Sequence, residues 1–200
     1  MCIRDSKHID KLIVELDEVD ILINNVGIYA SQSFYDMSDA EWFRHFEVNV
    51  MSGVRLSRSL LPKMIDKNWG RIIFVSSECA SIVPTDMIAY SMTKTAMHTV
   101  SRGLAQMTTS TGVTVNTVMP GSTMTEGANT FLEGVAAKEN KTKDQVASEF
   151  FTNVRTSSLI QRFATFDEIA STICYLVSPL AAATNGAAIK IEGGSTGGII

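Results

Sequence analysis

The chain has 200 residues, of which 45% are hydrophobic and 19% charged, and its formal net charge is -4. That length suits one domain with a sizeable core, and the charge balance, without a basic run, argues against nucleic acid as the main partner. No apolar run is long enough for a bilayer, the first residues are too polar for a secretory signal, and Cys2, Cys79 and Cys174 are scattered without CxxC spacing; together these features read as a cytoplasmic protein with reduced thiols.

In chain order, Met1 to Ser6 back-translates to a sequence resembling the transposon-end adapter of sequencing libraries. We set residues 1–6 aside as an expected artefact and treat 7–200 as a single domain. His8 to Leu16 carries Ile9, Leu12, Ile13 and Leu16 at helical spacing. Asp20 to Val26 is a short apolar run that ends in Asn24-Asn25-Val26-Gly27, which predicts a buried strand and a tight turn. Ser38 and Glu41 have capping-box spacing, and from Val48 a long helix is expected through Leu56, Leu60 and Leu61 to about Lys67. Arg71 to Ser77 reads as a second buried strand, and Tyr90 to Met107 as a helix whose small residues Gly103 and Ala105 permit close packing. Val113 to Val118 reads as a third strand, ended by Pro120-Gly121. Thr123 to Ile160 is irregular except for a helix from Asp144 to Val154, capped by Thr142 and Gln145. A helix from Phe166 to Leu176 and a strand from Ala187 to Ile191 complete the chain.

Apolar strands that alternate with helices predict an α/β fold: a doubly wound, Rossmann-like parallel sheet covered on both faces. Right-handed crossovers place the carboxyl ends of the strands, where ligands bind in such sheets, along one edge. Asn24 to Gly27, Ser76-Ser77 and Pro120-Gly121 each follow a strand, so all three reach that edge.

Tyr90 and Lys94 lie four residues apart and project from one helix face. A free tyrosine is a poor base at neutral pH, but a fixed ammonium nearby favours its phenolate, so the pair could exchange a proton with a carbonyl or an alcohol. With four tyrosines in the chain, chance supplies such a pair in roughly one chain in five, and the spacing alone is also that of an ordinary surface pair.

The neighbours change this. Ser77 lies thirteen residues before Tyr90, and Asn49 twenty-eight before Ser77. Together with Asn24-Asn25-Val26-Gly27, with Pro120-Gly121-Ser122-Thr123-Met124-Thr125 and with Ile191-Glu192-Gly193-Gly194, these spacings resemble the short-chain dehydrogenase/reductase family over essentially all of 6–200. The resemblance implies an NAD(P)-dependent oxidoreductase that interconverts a carbonyl and a secondary alcohol. Tyr90 would be the general acid/base, Lys94 would lower its pKa and bond the nicotinamide ribose, and Ser77, in preference to Ser76, would hold the substrate oxygen. Asn49 would hold a water linking Lys94 to solvent. Asn25, Val26 and Gly27 would line the cofactor, Val26 standing where alanine is usual, and Pro120, Gly121, Thr123 and Thr125 would approach its amide or phosphate. The same resemblance implies a homotetramer assembled through the long helices Val48–Lys67 and Tyr90–Met107 and the last strand.

The family's glycine-rich turn, which receives the cofactor pyrophosphate at a helix amino terminus, belongs to a βαβαβ half of roughly 60–80 residues. No GxxxGxG precedes Asn24. The expectation is a chain that lacks this first segment, binds NAD or NADP poorly, is inactive as written, and exposes the edge and faces of its first strand. The residue that would separate NAD from NADP falls in the same segment.

Residues 126–160 form the substrate-loop region, where Val146, Phe150, Phe151 and Val154 make an apolar stripe. The stripe suits either a lid over the substrate or a helix packed on the domain or a neighbouring subunit, and its spacing does not separate the two. Met87, Met92 and Met97 could shape a pocket but suit core filling better. His8, His45 and His98 have no ligand spacing, so no metal is expected. A second functional reading, a non-catalytic nucleotide-binding or assembly module of the same fold, has no need of Ser77 and Tyr90 together.

Overall fold

The computed structural model describes residues 6–198 apart from Asp17. The adapter reading of the first six residues therefore lies outside the described residues up to Asp5, as does Cys2. The elements run α1 (Ser6–Glu15), β1 (Ile21–Asn24), α2 (Asp39–Phe46), a π-helical turn (Glu47–Met51), α3 (Ser52–Asp66), β2 (Gly70–Val75), α4 (Cys79–Ile82), α5 (Ile88–Met107), β3 (Val113–Pro120), α6 (Glu126–Glu139), α7 (Lys143–Asn153), α8 (Phe166–Val177) and β4 (Ala188–Ile191).

The four strands form one parallel sheet in the order β1-β2-β3-β4. Side-chain alternation on β2 splits the core in two. Ile72 and Phe74 point to the face covered by α1, α3 and α5, where they meet Ile9, Leu22, Leu56, Leu60, Met97 and Val115. Ile73 points to the opposite face and meets Val118, Leu176 and Ala181. Burying each of these large side chains contributes about 1.5–3 kcal/mol. Both faces of β2 are thus filled, which is why its sequence is continuously apolar.

β1 departs from that rule. Leu22 and Asn24 are buried, but Ile21 and Ile23 on the other face are 41% and 44% exposed. Exposure is confined to one face and the free edge, because α3 covers the rest.

The expected single helix after Ser38 is one continuous run with a π turn at Glu47–Met51 inside it. Ser38 accepts a bond from the Glu41 amide, but the Glu41 carboxylate pairs with Arg44 at 3.2 Å instead of closing the capping box. Complete boxes occur at Thr142/Gln145 and at Thr165/Glu168, opening α7 and α8. Helix α6 carries weakly patterned small residues and breaks the expected irregular stretch. β2 ends at Val75, so Ser76 and Ser77 lie in the turn beyond the strand. Gly103 faces open space, so the close approach on α5 falls at Ala105, opposite Gly186.

Polar side chains act as clasps between β3 and β4. Asn116, fully buried, donates to the Thr184 carbonyl at 2.7 Å and accepts from the Ala187 amide at 3.0 Å. Asn185 accepts from the Val115 amide at 2.9 Å and donates to Thr108. These bonds satisfy backbone groups at the point where β4 begins to pair.

Candidate active site

The carboxyl ends of β1, β2 and β3 converge on the amino-terminal half of α5. Lys94, 6% exposed, donates from Nζ to the Val75 carbonyl at 2.8 Å and lies 5.5 Å from the centroid of the Tyr90 ring. In the opposite direction, Ser76 Oγ donates to the Lys94 carbonyl at 2.9 Å. The Ser76 proton is spent there, so the 2.8 Å contact with His98 Nε2 requires that nitrogen to carry the hydrogen and donate. Ser76 is thereby committed to the helix. The Ser77 hydroxyl accepts from the Cys79 amide at 3.2 Å and lies close enough to the Tyr90 phenol to oppose the rise of its pKa.

Asn49 sits in the π turn, a local distortion that often marks functional positions. Its Nδ2 donates to the Ile28 carbonyl and to Thr93 Oγ1, both at 2.9 Å, and its Oδ1 accepts from the Ile28 amide at 2.7 Å. Thr93 passes its own proton to the Tyr90 carbonyl. Both side-chain protons of Asn49 are therefore used to pin the loop after β1 to α5. A water beside Asn49 would be left the second lone pair of Oδ1 or the backbone.

In the loop after β1, Asn25 and Gly27 are exposed and Val26 is half-buried. A Cβ at Gly27 would lie 3.5 Å from Lys94 Nζ and 3.6 Å from Asn49 Oδ1, filling the space beside the ammonium. Gly121 is tighter: a Cβ would fall 2.7 Å from Glu192 Cα, so only glycine lets the β3 turn reach the Ile191 carbonyl, to which its amide donates. Pro120 ends β3. Thr123 Oγ1 donates to the Gly121 carbonyl, and Thr125 is the amino cap of α6.

The electrostatics differ from the expectation drawn from spacing alone. Burial, the largest effect, raises the Tyr90 phenol to about 12 against the opposing hydrogen bond to Ser77, with Cys79, Tyr29 and Glu78 adding to the rise. Burial also lowers Lys94 to about 8. The ammonium is engaged by a backbone carbonyl at the strand end, and desolvation of the phenol wins.

Four further participants carried no spacing signal. Tyr29 packs edge-on against Tyr90, ring centroids 6.1 Å apart. Glu78, Ser122 and Arg155 form a buried cluster beside Ser77. A charged residue amid the small and apolar residues after Ser77 was the one available hint.

A family profile described as short chain dehydrogenase matches residues 5–136. The chain belongs to the short-chain dehydrogenase/reductase family. It is 50% identical over 177 residues to the uncharacterized oxidoreductase YvaG of Bacillus subtilis, covering 88% of this chain and 67% of that protein. It is 30% identical to acetoacetyl-CoA reductase of Cupriavidus necator, covering 92% of this chain and 69% of that protein. The L-sorbose reductase of Gluconobacter frateurii, solved with NADPH and L-sorbose, superposes on all of this chain and 76% of its own, with a TM-score of 0.93 at 25% identity. Within this short-chain dehydrogenase/reductase fold, Asn49, Ser77, Tyr90 and Lys94 lie together at the carboxyl edge of the sheet, Asn49 reaching Tyr90 through Thr93. No helix among the described residues is long and apolar enough to cross a membrane.

The two shifted groups predict a pH signature of stability. The folded Lys94 binds its proton less tightly than the unfolded chain, so stability rises with pH from about 8 until the unfolded lysine titrates. Tyr90 and Cys79, both raised by burial, act oppositely and remove stability once their unfolded forms ionise, near 9 for the thiol and 10 for the phenol. Urea unfolding should gain about 1 kcal/mol between pH 8 and 9, and Lys94→Met should abolish that gain. A flat wild-type profile across this interval would show that Lys94 keeps its ordinary affinity for protons.

Proposed function

We propose that the protein interconverts a carbonyl and a secondary alcohol with NAD or NADP, and that Tyr90 is its general acid/base. The observation that carries this reading is that Ser77 and Lys94 both lie against Tyr90, the serine beside its phenol and the Lys94 ammonium 5.5 Å from its ring centroid. Two hydroxyls that meet at one point can both donate to a single substrate oxygen, which stabilises the charge that develops there. A phenol raised to about 12 stays protonated at neutral pH, so Tyr90 is poised to give its proton to a nascent alkoxide. For alcohol oxidation the phenolate must be reached, and Lys94 is the cation placed to favour it.

The residues present fit the nicotinamide end of a cofactor. Gly27 keeps the space beside Lys94 free of side chain, and Lys94, Asn25, Val26, Gly27 and the turn Pro120 to Thr125 would hold the ribose and carboxamide. When bound, the nicotinamide supplies or accepts the hydride. The relatives named as reductases, and the neighbour solved with NADPH, support this assignment. Residues 126–160 serve in this reading as the cover over the substrate, and the protein works in the cytoplasm.

Cofactor grip is the weak half of this chain. Without a glycine-rich turn before Asn24, the 200 residues should show no NADH or NADPH binding tighter than roughly 1 mM by titration calorimetry. Tight binding would overturn that part of the reading. In a form of the protein that also carries a phosphate-binding half, Tyr90→Phe should lower turnover by about 100- to 10,000-fold while cofactor affinity is kept. Unchanged turnover would instead favour a non-catalytic nucleotide-binding or assembly module.

The protein associates with copies of itself, in this reading, through α3 and α5. Between these helices lies an open apolar groove of about 560 Å³ lined by Val54, Leu61, Ile65, Val100, Leu104 and Met107. Met107 is 65% exposed, so a charge there leaves the fold intact. Sedimentation should show an oligomer that Met107→Glu dissociates, and a monomeric wild type would sink the assignment.

A further inference from the structure

Glu78 follows the substrate serine directly and is 3% exposed. Its amide donates to the Pro120 carbonyl at 2.9 Å, which ties the Ser77 turn to the end of β3. Its Oε1 accepts from Ser122 Oγ at 3.2 Å and from Arg155 Nε at 2.9 Å, while Oε2 is buried without a partner among the described residues. Arg155, just beyond α7, lies near the Cys79 thiol and places its guanidinium 5.8 Å from the centroid of the Phe150 ring. Three segments of the site thus meet on one carboxylate: the serine turn, the β3 turn and the far end of 126–160.

The near end of that segment is held differently. Thr125 caps α6, and Gly127 approaches the Tyr29 hydroxyl. The middle has its own small core of Leu132, Ala136 and Val146, with Phe163 against it. Phe150 and Phe151 pack on Phe163, so the α7 stripe is consumed inside this unit and Val154 is left exposed. Beyond Arg155 the chain is tied to the segment after β4, through the Leu159 amide on the Gly193 carbonyl and Ser157 on the Ser195 carbonyl, while the Glu78–Arg155 pair ties the end of α7 to the serine turn.

We propose that Glu78 and Arg155 form a latch: their ion pair fastens residues 126–160 over the site and, through Glu78, positions the Ser77 hydroxyl for the substrate oxygen. This rests on reading 126–160 as the substrate cover. Breaking one partner of a buried pair strands the other charge, so either single change should open the cover, and removing both should do no further harm.

The test uses Glu78→Gln, Arg155→Gln, the double variant and Arg155→Lys. Hydrogen exchange in 141–160 should rise tenfold or more in each Gln variant while β2 and β3 stay protected, and the double variant should match the singles. Labelling of Cys79, buried beneath the latch, should accelerate, with exposed Cys174 as the internal control. Arg155→Lys should restore part of both. In a form of the protein that also carries a phosphate-binding half, at saturating NAD(P)H, Arg155→Gln should raise the substrate KM tenfold or more with kcat within threefold, whereas Glu78→Gln should also lower kcat through Ser77.

Unchanged exchange, additive singles, or loss of protection throughout the sheet would each overturn the latch and leave the proposed chemistry standing. Faster exchange with an unchanged KM would overturn the latch's role in substrate binding. Turnover that survives Tyr90→Phe would sink the chemistry instead, without touching the exchange result.

Discussion

A buried ammonium holds this site together. Lys94 loses nearly all of its hydration and receives in return one strand-end carbonyl, that of Val75. Its own carbonyl accepts from Ser76, so α5 and the end of β2 are stitched in both directions across neighbouring residues. Everything the site needs hangs on that seam. The Tyr90 ring stands one helical turn away, Ser77 follows Ser76, and Thr93 brings in Asn49 and the loop after β1. An uncompensated ammonium in that position would be costly, and the Val75 carbonyl offsets part of that cost.

The second constraint is backbone proximity. At Gly121 the β3 turn and the segment after β4 approach so closely that a methyl group has no room. That contact sets the level at which the Pro120 carbonyl meets the Glu78 amide, and hence where the serine turn sits. Catalytic geometry here is a product of main-chain packing as much as of side-chain chemistry.

Much of this was legible from residue order. The four strands and their parallel order follow from apolar runs alternating with amphipathic helices, and the boxes at Thr142 and Thr165 have the local signature of helix starts. α6 was hidden because its small, mixed residues carry little periodicity until Leu132 and Ala136 find Val146. β1 looked like β2 in sequence yet keeps one face exposed, since an apolar run does not state how many of its faces are covered. The Glu41 carboxylate had two partners within reach and took Arg44. Gly103 resembled a packing glycine, but what faces it is decided by an element elsewhere in the chain.

The sequence by itself determined the family and the order of the strands, and it singled out Asn49, Ser77, Tyr90 and Lys94, because spacing along helices and at strand ends is a local property. Tertiary structure alone decided the proton affinities of Tyr90 and Lys94, the commitment of Ser76 to the helix, and the meeting of Glu78 with Arg155. Those depend on burial and on contacts between residues far apart in the chain, as Glu78 and Arg155 are. The spacing that marked the Tyr90–Lys94 pair could not foresee that burial would raise the phenol and lower the ammonium.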